Sequence, residues 1–164
     1  MQLHRFVLAA ALSAPALLAQ TAADVGLTMS GGVLTVIYGQ NCGTFTCQPF
    51  VAGTTAAGQP YDVSVWGAPN QPFVLAADLP TGAPCIQIAG VANSLLLQNQ
   101  PITLATGMIG SGSAIGVCNQ GRARYALQFP AGTPVGVQYL LQGVAMSASL
   151  RMPAFTVAIT SRTG

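Results

Sequence analysis

The sequence predicts an all-β fold, a single antiparallel β-sandwich of about nine strands that follows a cleaved signal peptide. The first observation behind this is the period-two alternation of the stretch from Arg122 to Thr160. In one run Ala123, Tyr125, Leu127 and Phe129 share a face, with Arg122, Arg124, Ala126 and Gln128 opposite. In the next Val135, Val137, Tyr139 and Leu141 oppose Gly136, Gln138 and Gln142. In the last Pro153, Phe155, Val157 and Ile159 oppose Ala154, Thr156, Ala158 and Thr160. Successive strand side chains point to opposite sides of a sheet, so such runs describe half-buried strands. The second observation is that the chain has no Lys and no Glu, and only 5% of its residues are charged. Surface helices draw on those residues and on charge pairs four apart. The third is punctuation: 19 Gly and 11 Pro break 164 residues into short segments, enough for one domain with a core.

In chain order, Leu27 to Ser30 and Val33 to Tyr38 flank Gly31-Gly32, a two-residue hairpin signal because both turn positions tolerate positive φ. Gln40 to Gly58 reads as loop, with a short strand at Phe50 and Val51. Tyr61 to Trp66 alternates, with Tyr61, Val63 and Val65 against Asp62, Ser64 and Trp66. Phe73 to Ala77, Ile86 to Ala89, Ser94 to Gln98 and Ile102 to Ala105 read as further strands. Leu95-Leu96-Leu97 is apolar on both faces, which predicts a central, doubly covered strand. Two turns echo each other, Leu79-Pro80-Thr81-Gly82-Ala83-Pro84 and Phe129-Pro130-Ala131-Gly132-Thr133-Pro134.

Residues 1–23 read as the signal peptide and 24–164 as the domain. Met1 to Arg5 holds His4 and Arg5, and Phe6 to Ala19 is apolar apart from Ser13 and Pro15. A basic start, a short apolar run and small residues after it mark a secretory leader. The run falls short of the roughly 20 residues that span a bilayer, and no later segment reads as transmembrane. Cleavage after Ala19 or after Ala23 fits; Thr21 and Ala23 supply the small residues for the second cut.

Four cysteines remain, Cys42, Cys47, Cys85 and Cys118. An even count in an exported chain reads as two disulfides, with three ways to pair them. Proximity favours Cys42–Cys47 and leaves Cys85–Cys118. A zinc site is disfavoured, because the close pair lacks two-residue spacing and the compartment is oxidising.

From about Tyr61 to its end, the chain resembles a module common in exported proteins of planctomycete-type bacteria. The counterparts are Gly67-Ala68-Pro69, Phe73-Val74-Leu75-Ala76, Pro84-Cys85, Leu127-Gln128-Phe129-Pro130, Val135 to Gln142, and Phe155 to Thr160. An Asp/Pro/Gly loop usual before the last strand is here Ser147 to Pro153, with Arg151 in it. The resemblance implies an exported β-sandwich of uncharacterised role, and it brings no active site with it.

Inventory argues against an enzyme. The sole histidine, His4, leaves with the leader, so no Ser or Cys has a His or Lys base beside it. Only Asp62 and Asp78 could form a carboxylate pair, and the first faces outward while the second adjoins a turn. No Cys-x-x-Cys is present, and no metal ligand set or cofactor motif. Gly107 to Gly116 has neither dinucleotide spacing nor a Walker lysine and reads as a flexible loop. The formal charge of +2 is too small to predict a nucleic-acid partner.

Two binding features stand out. Trp66, beside Tyr61 or Phe45, could form an exposed stacking platform for polysaccharide, although a strand-end core indole is the more common case. Arg122 and Arg124 lie two apart on one face and could grip an anionic polymer; an ordinary solvated face is the commoner meaning. The reading is thus a non-enzymatic structural, adhesion or cell-surface module, secreted, cell-surface or periplasmic. Its partner would be an envelope or matrix protein, or further copies of itself meeting at uncharged sheet edges. The alternative is a carbohydrate-binding module centred on Trp66.

The disulfide reading has a direct check. Intact mass should show four alkylated thiols after reduction and none before it; alkylation of the unreduced protein would overturn the pairing.

Overall fold

The computed structural model describes residue 22, residues 24–43, residues 46–112 and residues 120–164. Residues 1–21 and 23 of the stretch read above as a leader, the loop residue Phe45, residues 113–116 of the glycine-rich stretch and Cys118 lie outside the described residues. Nine strands run β1 (Gly26–Gly31), β2 (Leu34–Gln40), β3 (Phe50–Thr55), β4 (Pro60–Gly67), β5 (Pro72–Asp78), β6 (Ile102–Met108), β7 (Gly121–Gln128), β8 (Gln138–Ser147) and β9 (Met152–Thr163). A four-stranded sheet has the order β2-β1-β4-β7, and a five-stranded sheet the order β3-β9-β8-β5-β6. The expected all-β sandwich is present, with one departure: β3 joins β9 in parallel, and every other pair is antiparallel.

Alternation builds the core between the sheets. Tyr61, Val63 and Val65 of β4, Leu27 and Met29 of β1, and Leu127 of β7 pack against Leu75 of β5, Leu141 of β8 and Val157 and Ile159 of β9. Each such side chain contributes about 1.5–3 kcal/mol on full burial. The hairpin turn lies one residue later than expected: Gly31 pairs with Leu34, and Gly32-Val33 forms the turn. Both glycines hold positive φ (90° and 56°), and a Cβ at Gly32 would sit 2.5 Å from the Tyr61 ring. The turn therefore needs glycine twice over, for its backbone and for the ring beneath it.

In β9 the strict alternation breaks. A β-bulge falls between the Gln142↔Ala158 and Val144↔Phe155 pairs. Ala154, Val157 and Ile159 enter the core, while Phe155 lies opposite Val144, outside the main cluster. One extra residue in a strand reverses the facing of everything beyond it, which a period of two cannot register. Thr156 occupies the bulge, its hydroxyl accepting the Gly143 N–H (2.9 Å) and donating to the Val157 carbonyl (2.7 Å).

The second run also differs. β8 begins only at Gln138, so Val135 lies in the preceding loop, 79% exposed. Leu140, on the face expected to be polar, is buried with Leu97 and Ala158. Residues 79–101 are the reason. Ile86 to Ala89 and Ser94 to Gln98 are not strands; one isolated bridge, Ile86↔Leu95, is their pairing with each other. The segment instead lies across the outer face of β8 and β9, which is why Leu95, Leu96 and Leu97 looked doubly covered. Gln142 pins it. This side chain, 2% exposed, accepts the Leu96 N–H (2.8 Å) and donates to the Ser94 and Thr156 carbonyls (2.9 and 3.0 Å).

The segment is also stapled covalently. Cys47 bonds Cys85, with Cα atoms 5.6 Å apart, so the pairings favoured by proximity are not those formed. Cys42 is disulfide-bonded as well. Cross-linking across 38 residues constrains the unfolded chain by about 4 kcal/mol in the loop-entropy account. The echo between the two proline-rich turns is not conformational: Gly82 has φ 68°, whereas Gly132 is not in the left-handed region.

Gln142→Leu keeps the volume and removes the pin, leaving one N–H and two carbonyls short of a partner. It should cost about 2–4 kcal/mol, seen as a lower urea midpoint at unchanged m-value. An unchanged midpoint would show that the segment is held by other means.

Candidate functional site

Of the residues singled out for binding, Trp66, Arg122 and Arg124 lie on the outer face of the four-stranded sheet and Tyr61 on its inner face, and each already has a partner. Trp66 does lie with Asp62 and Ser64 on the outward face of β4, as the alternation implies. It is nevertheless 5% exposed, and the expected exposed platform is not what the structure presents. Gly26 of β1 stands opposite Trp66, and a Cβ there would meet the backbone of Gln40 and Asn41. The indole Nε1–H donates to Thr28 Oγ1 (2.9 Å), and the Arg122 guanidinium lies 5.3 Å from the ring centroid on the other flank. A cation over an indole contributes about 0.5–2 kcal/mol. Tyr61, the second platform residue, is buried beneath the β1–β2 turn, its hydroxyl accepting the Ala56 N–H at 2.6 Å. The two aromatic side chains point to opposite faces of β4, so they share no surface.

Arg124, the other candidate anion ligand, pairs with Asp62 at 3.5 Å on an open surface, an interaction worth at most about 1 kcal/mol. Arg122 and Arg124 thus face two different partners. Asp62 also accepts a hydrogen bond from the Ser64 hydroxyl (3.2 Å).

Asp78 ends β5 in the other sheet, so the two carboxylates expected as the sole conceivable pair belong to different sheets. Its oxygens accept the N–H groups of Leu79 (2.8 Å), Asn99 (2.8 Å) and Gln100 (3.1 Å). The carboxylate closes the covering segment where it leaves and where it rejoins the sheet. Burial pushes the Asp78 carboxyl up, but the backbone donors of Asn99, Gln100, Leu79 and Gln98 outweigh it and hold it below the ordinary aspartate value.

What composition did not foretell is a cleft beside Asp78. Five strands face four, and β6 at the end of the larger sheet is only partly covered: Ile102 is 62% exposed and Leu104 half-buried. Between β6 and β7 opens an apolar hollow of about 340 Å³, lined by Ile102, Leu104, Leu127, Phe129, Tyr139 and Leu141, with Asp78, Asn99 and Gln100 at its rim. Phe129 and Tyr139 meet in its wall with their rings tilted at 49°, centroids 5.0 Å apart. The Tyr139 hydroxyl donates to Thr55 Oγ1 (3.1 Å), and burial raises its pKa. β6 itself (ITLATGM) carries no ionisable side chain and, among the described residues, has one strand neighbour, β5. Among those residues it is an edge strand beside an apolar hollow.

Among the described residues no three His, Cys, Asp or Glu side chains converge, and no helix is long and apolar enough to cross a membrane. No protein-family model matches the chain, and no curated protein matches it.

Asp78 gives a pH prediction with a definite sign. The folded carboxyl titrates below the unfolded one (about 3.9), so its stabilisation is complete above that pH and is lost as pH falls through the folded value. Asp78→Asn should cost about 1–3 kcal/mol near neutrality, since an amide NH₂ then meets backbone donors. The variant should also show a shallower loss of stability in acid than the parent, measured by urea titration across pH 2–7. Parallel curves would assign the acid sensitivity elsewhere.

Proposed function

We propose that the protein is a non-enzymatic exported module of cell-surface or extracellular structure or adhesion, and that it assembles with further copies of itself through sheet edges. The observation that carries this reading is β6, an uncharged seven-residue edge strand with exposed Ile102 and Met108, flanking the apolar cleft. Soluble β-proteins ordinarily blunt such edges with Lys, Pro or covering loops. Here β7 alone among the four edge strands carries charge, through Arg122 and Arg124. A second chain's strand laid along β6 would extend the larger sheet, and its inward side chains would cover Leu104 and the cleft mouth. A β6–β6 contact would be antiparallel and two-fold, because identical edges meet by symmetry.

Export is supported by the basic-then-apolar start of the chain and by the Cys47–Cys85 disulfide, which suits an oxidising compartment. The likeness of residues 61–164 to the exported planctomycete-type module points the same way. The carbohydrate alternative loses its platform, since the Trp66 indole is already engaged by Thr28 and Arg122.

Sedimentation velocity over a hundredfold concentration range tests the reading. The parent should self-associate, whereas Thr103→Lys/Thr106→Lys, which puts two charges on the exposed face of β6, should remain monomeric at unchanged Tm. A parent that stays monomeric throughout, or a double variant that associates equally well, would sink it.

A further inference from the structure

The alternation of β6 is interrupted once, and the interruption gives the strand an unusual symmetry. Against β5 the pairs run Ala77↔Ile102, Ala76↔Thr103, Leu75↔Ala105, Val74↔Thr106 and Phe73↔Gly107, so Leu104 is an extra residue in a β-bulge. Residues opposite one another share a face of the sheet. Ala77, Leu75 and Phe73 belong to the core side of β5, so Ile102, Ala105 and Gly107 face inward. Leu104 faces inward with them, as a lining residue of the cleft. Thr103 and Thr106, opposite Ala76 and Val74, face outward and are exposed. From Ile102 to Gly107 the facing is thus in, out, in, in, out, in. That order reads the same in both directions about the Leu104–Ala105 bond, which a strand in strict alternation cannot do about a bond.

We propose that two copies of the chain pair β6 to β6 about a two-fold axis through the Leu104–Ala105 bond. Thr103 then lies opposite Thr106 of the second copy, Leu104 opposite its Ala105 and Ile102 opposite its Gly107. The proposal rests on the edge-assembly reading above and fixes its register. A strand pair that buries one face must set inward residues opposite inward ones. Here every pair does so, whereas sliding either strand by one or two residues sets an inward residue of one copy opposite an outward residue of the other. The side chains fit the same register. Gly107 leaves the inward face bare beside the Phe73 ring, where a Cβ would lie 3.1 Å from it, and Ile102 of the second copy comes over that bare backbone. Half-buried Leu104 gains the Ala105 of the second copy as cover at the cleft mouth. Threonine opposite threonine on the outward face is a favourable cross-strand pair. Charge selects the occupant. A two-fold contact sets each group near its own counterpart, so β7 would bring Arg122 and Arg124 of two copies together, while β6 has no ionised group to repel its twin.

The test mixes two single variants, Thr103→Cys and Thr106→Cys, under copper-catalysed air oxidation and reads covalent dimer on a non-reducing gel, with sedimentation velocity alongside. Both threonines are exposed, so each variant should melt with the parent. Among the described residues no cysteine is free, so the added thiol is the reactive one. In the proposed register the T103C thiol meets the T106C thiol of the other copy. Two T103C thiols are three steps apart along the strands, about 10 Å, which is too far to bridge. The mixture should therefore give roughly tenfold more covalent dimer than either variant alone. If the protein associates but one variant alone cross-links as well as the mixture, or the mixture does not cross-link, the register is overturned and the edge reading stands. If parent and variants all stay monomeric, both are overturned.

Discussion

The buried amide of Gln142 is the constraint on which the larger sheet depends. A sandwich needs only one covered face per sheet, yet β8 and β9 are apolar on both, with Leu140 and Ala158 on the side away from the core. That second face must be covered by something, and the described residues include no helix to lay over it. It uses residues 79–101, an irregular segment whose backbone groups would be stranded against an apolar surface without partners. Gln142 meets this need from within the sheet, turning one side chain into three hydrogen bonds to backbone. Asp78 closes the base of the same segment, Asn93 holds its far end, and Cys85 ties it to Cys47. Packing, polar satisfaction and covalent chemistry converge on one loop.

The near-absence of charge acquires a physical meaning here. Asp24 and Asp78 do not serve as solvating charges; each accepts backbone N–H groups at a segment that would otherwise be loose. In both, burial raises the carboxyl and hydrogen bonds to it more than compensate, so the net shift is downward. On the smaller sheet Arg122 covers an indole and Arg124 pairs with Asp62. Of the four edge strands only β7 carries charge, through Arg122 and Arg124; β2, β3 and β6 are left to uncharged side chains.

Legibility followed the chemistry of each position. Strands β1, β4, β5 and β7 were readable because one face is core and the other solvent or polar, so a period of two survives in the residues. The covering segment was not readable as such: a loop buried against a sheet is as apolar as a central strand, and Leu95-Leu96-Leu97 cannot tell the two apart. The bulge at Thr156 was invisible for a related reason, since Pro153 and Phe155 satisfy the alternation that the extra residue overturns. Disulfide partners depend on tertiary approach, so nearness in sequence favoured Cys47 with Cys42, whereas the fold brings Cys47 to Cys85. Trp66 was assigned to the correct face and the wrong degree of exposure, because Thr28 and Arg122, which engage the indole, belong to strands far away in sequence. The cleft arises from strand count, five against four, which no local pattern contains.

That mismatch in strand count bears on function more than any single residue does. Equal sheets would cover one another and leave edges only at the rim. With β6 extending past full cover, the inner side chains of a strand and, among the described residues, its outer edge lie at the same place. Hydrophobic contact and hydrogen bonding can then be satisfied together by a single added strand, whereas a small ligand in the cleft would satisfy only the first. Asp78 is occupied through both its oxygens in holding the covering segment by the backbone N–H groups of Leu79, Asn99 and Gln100. The geometry therefore favours an extended polypeptide over a small molecule, and the lack of charge along β6 favours a partner that is equally uncharged, as another copy of this chain would be.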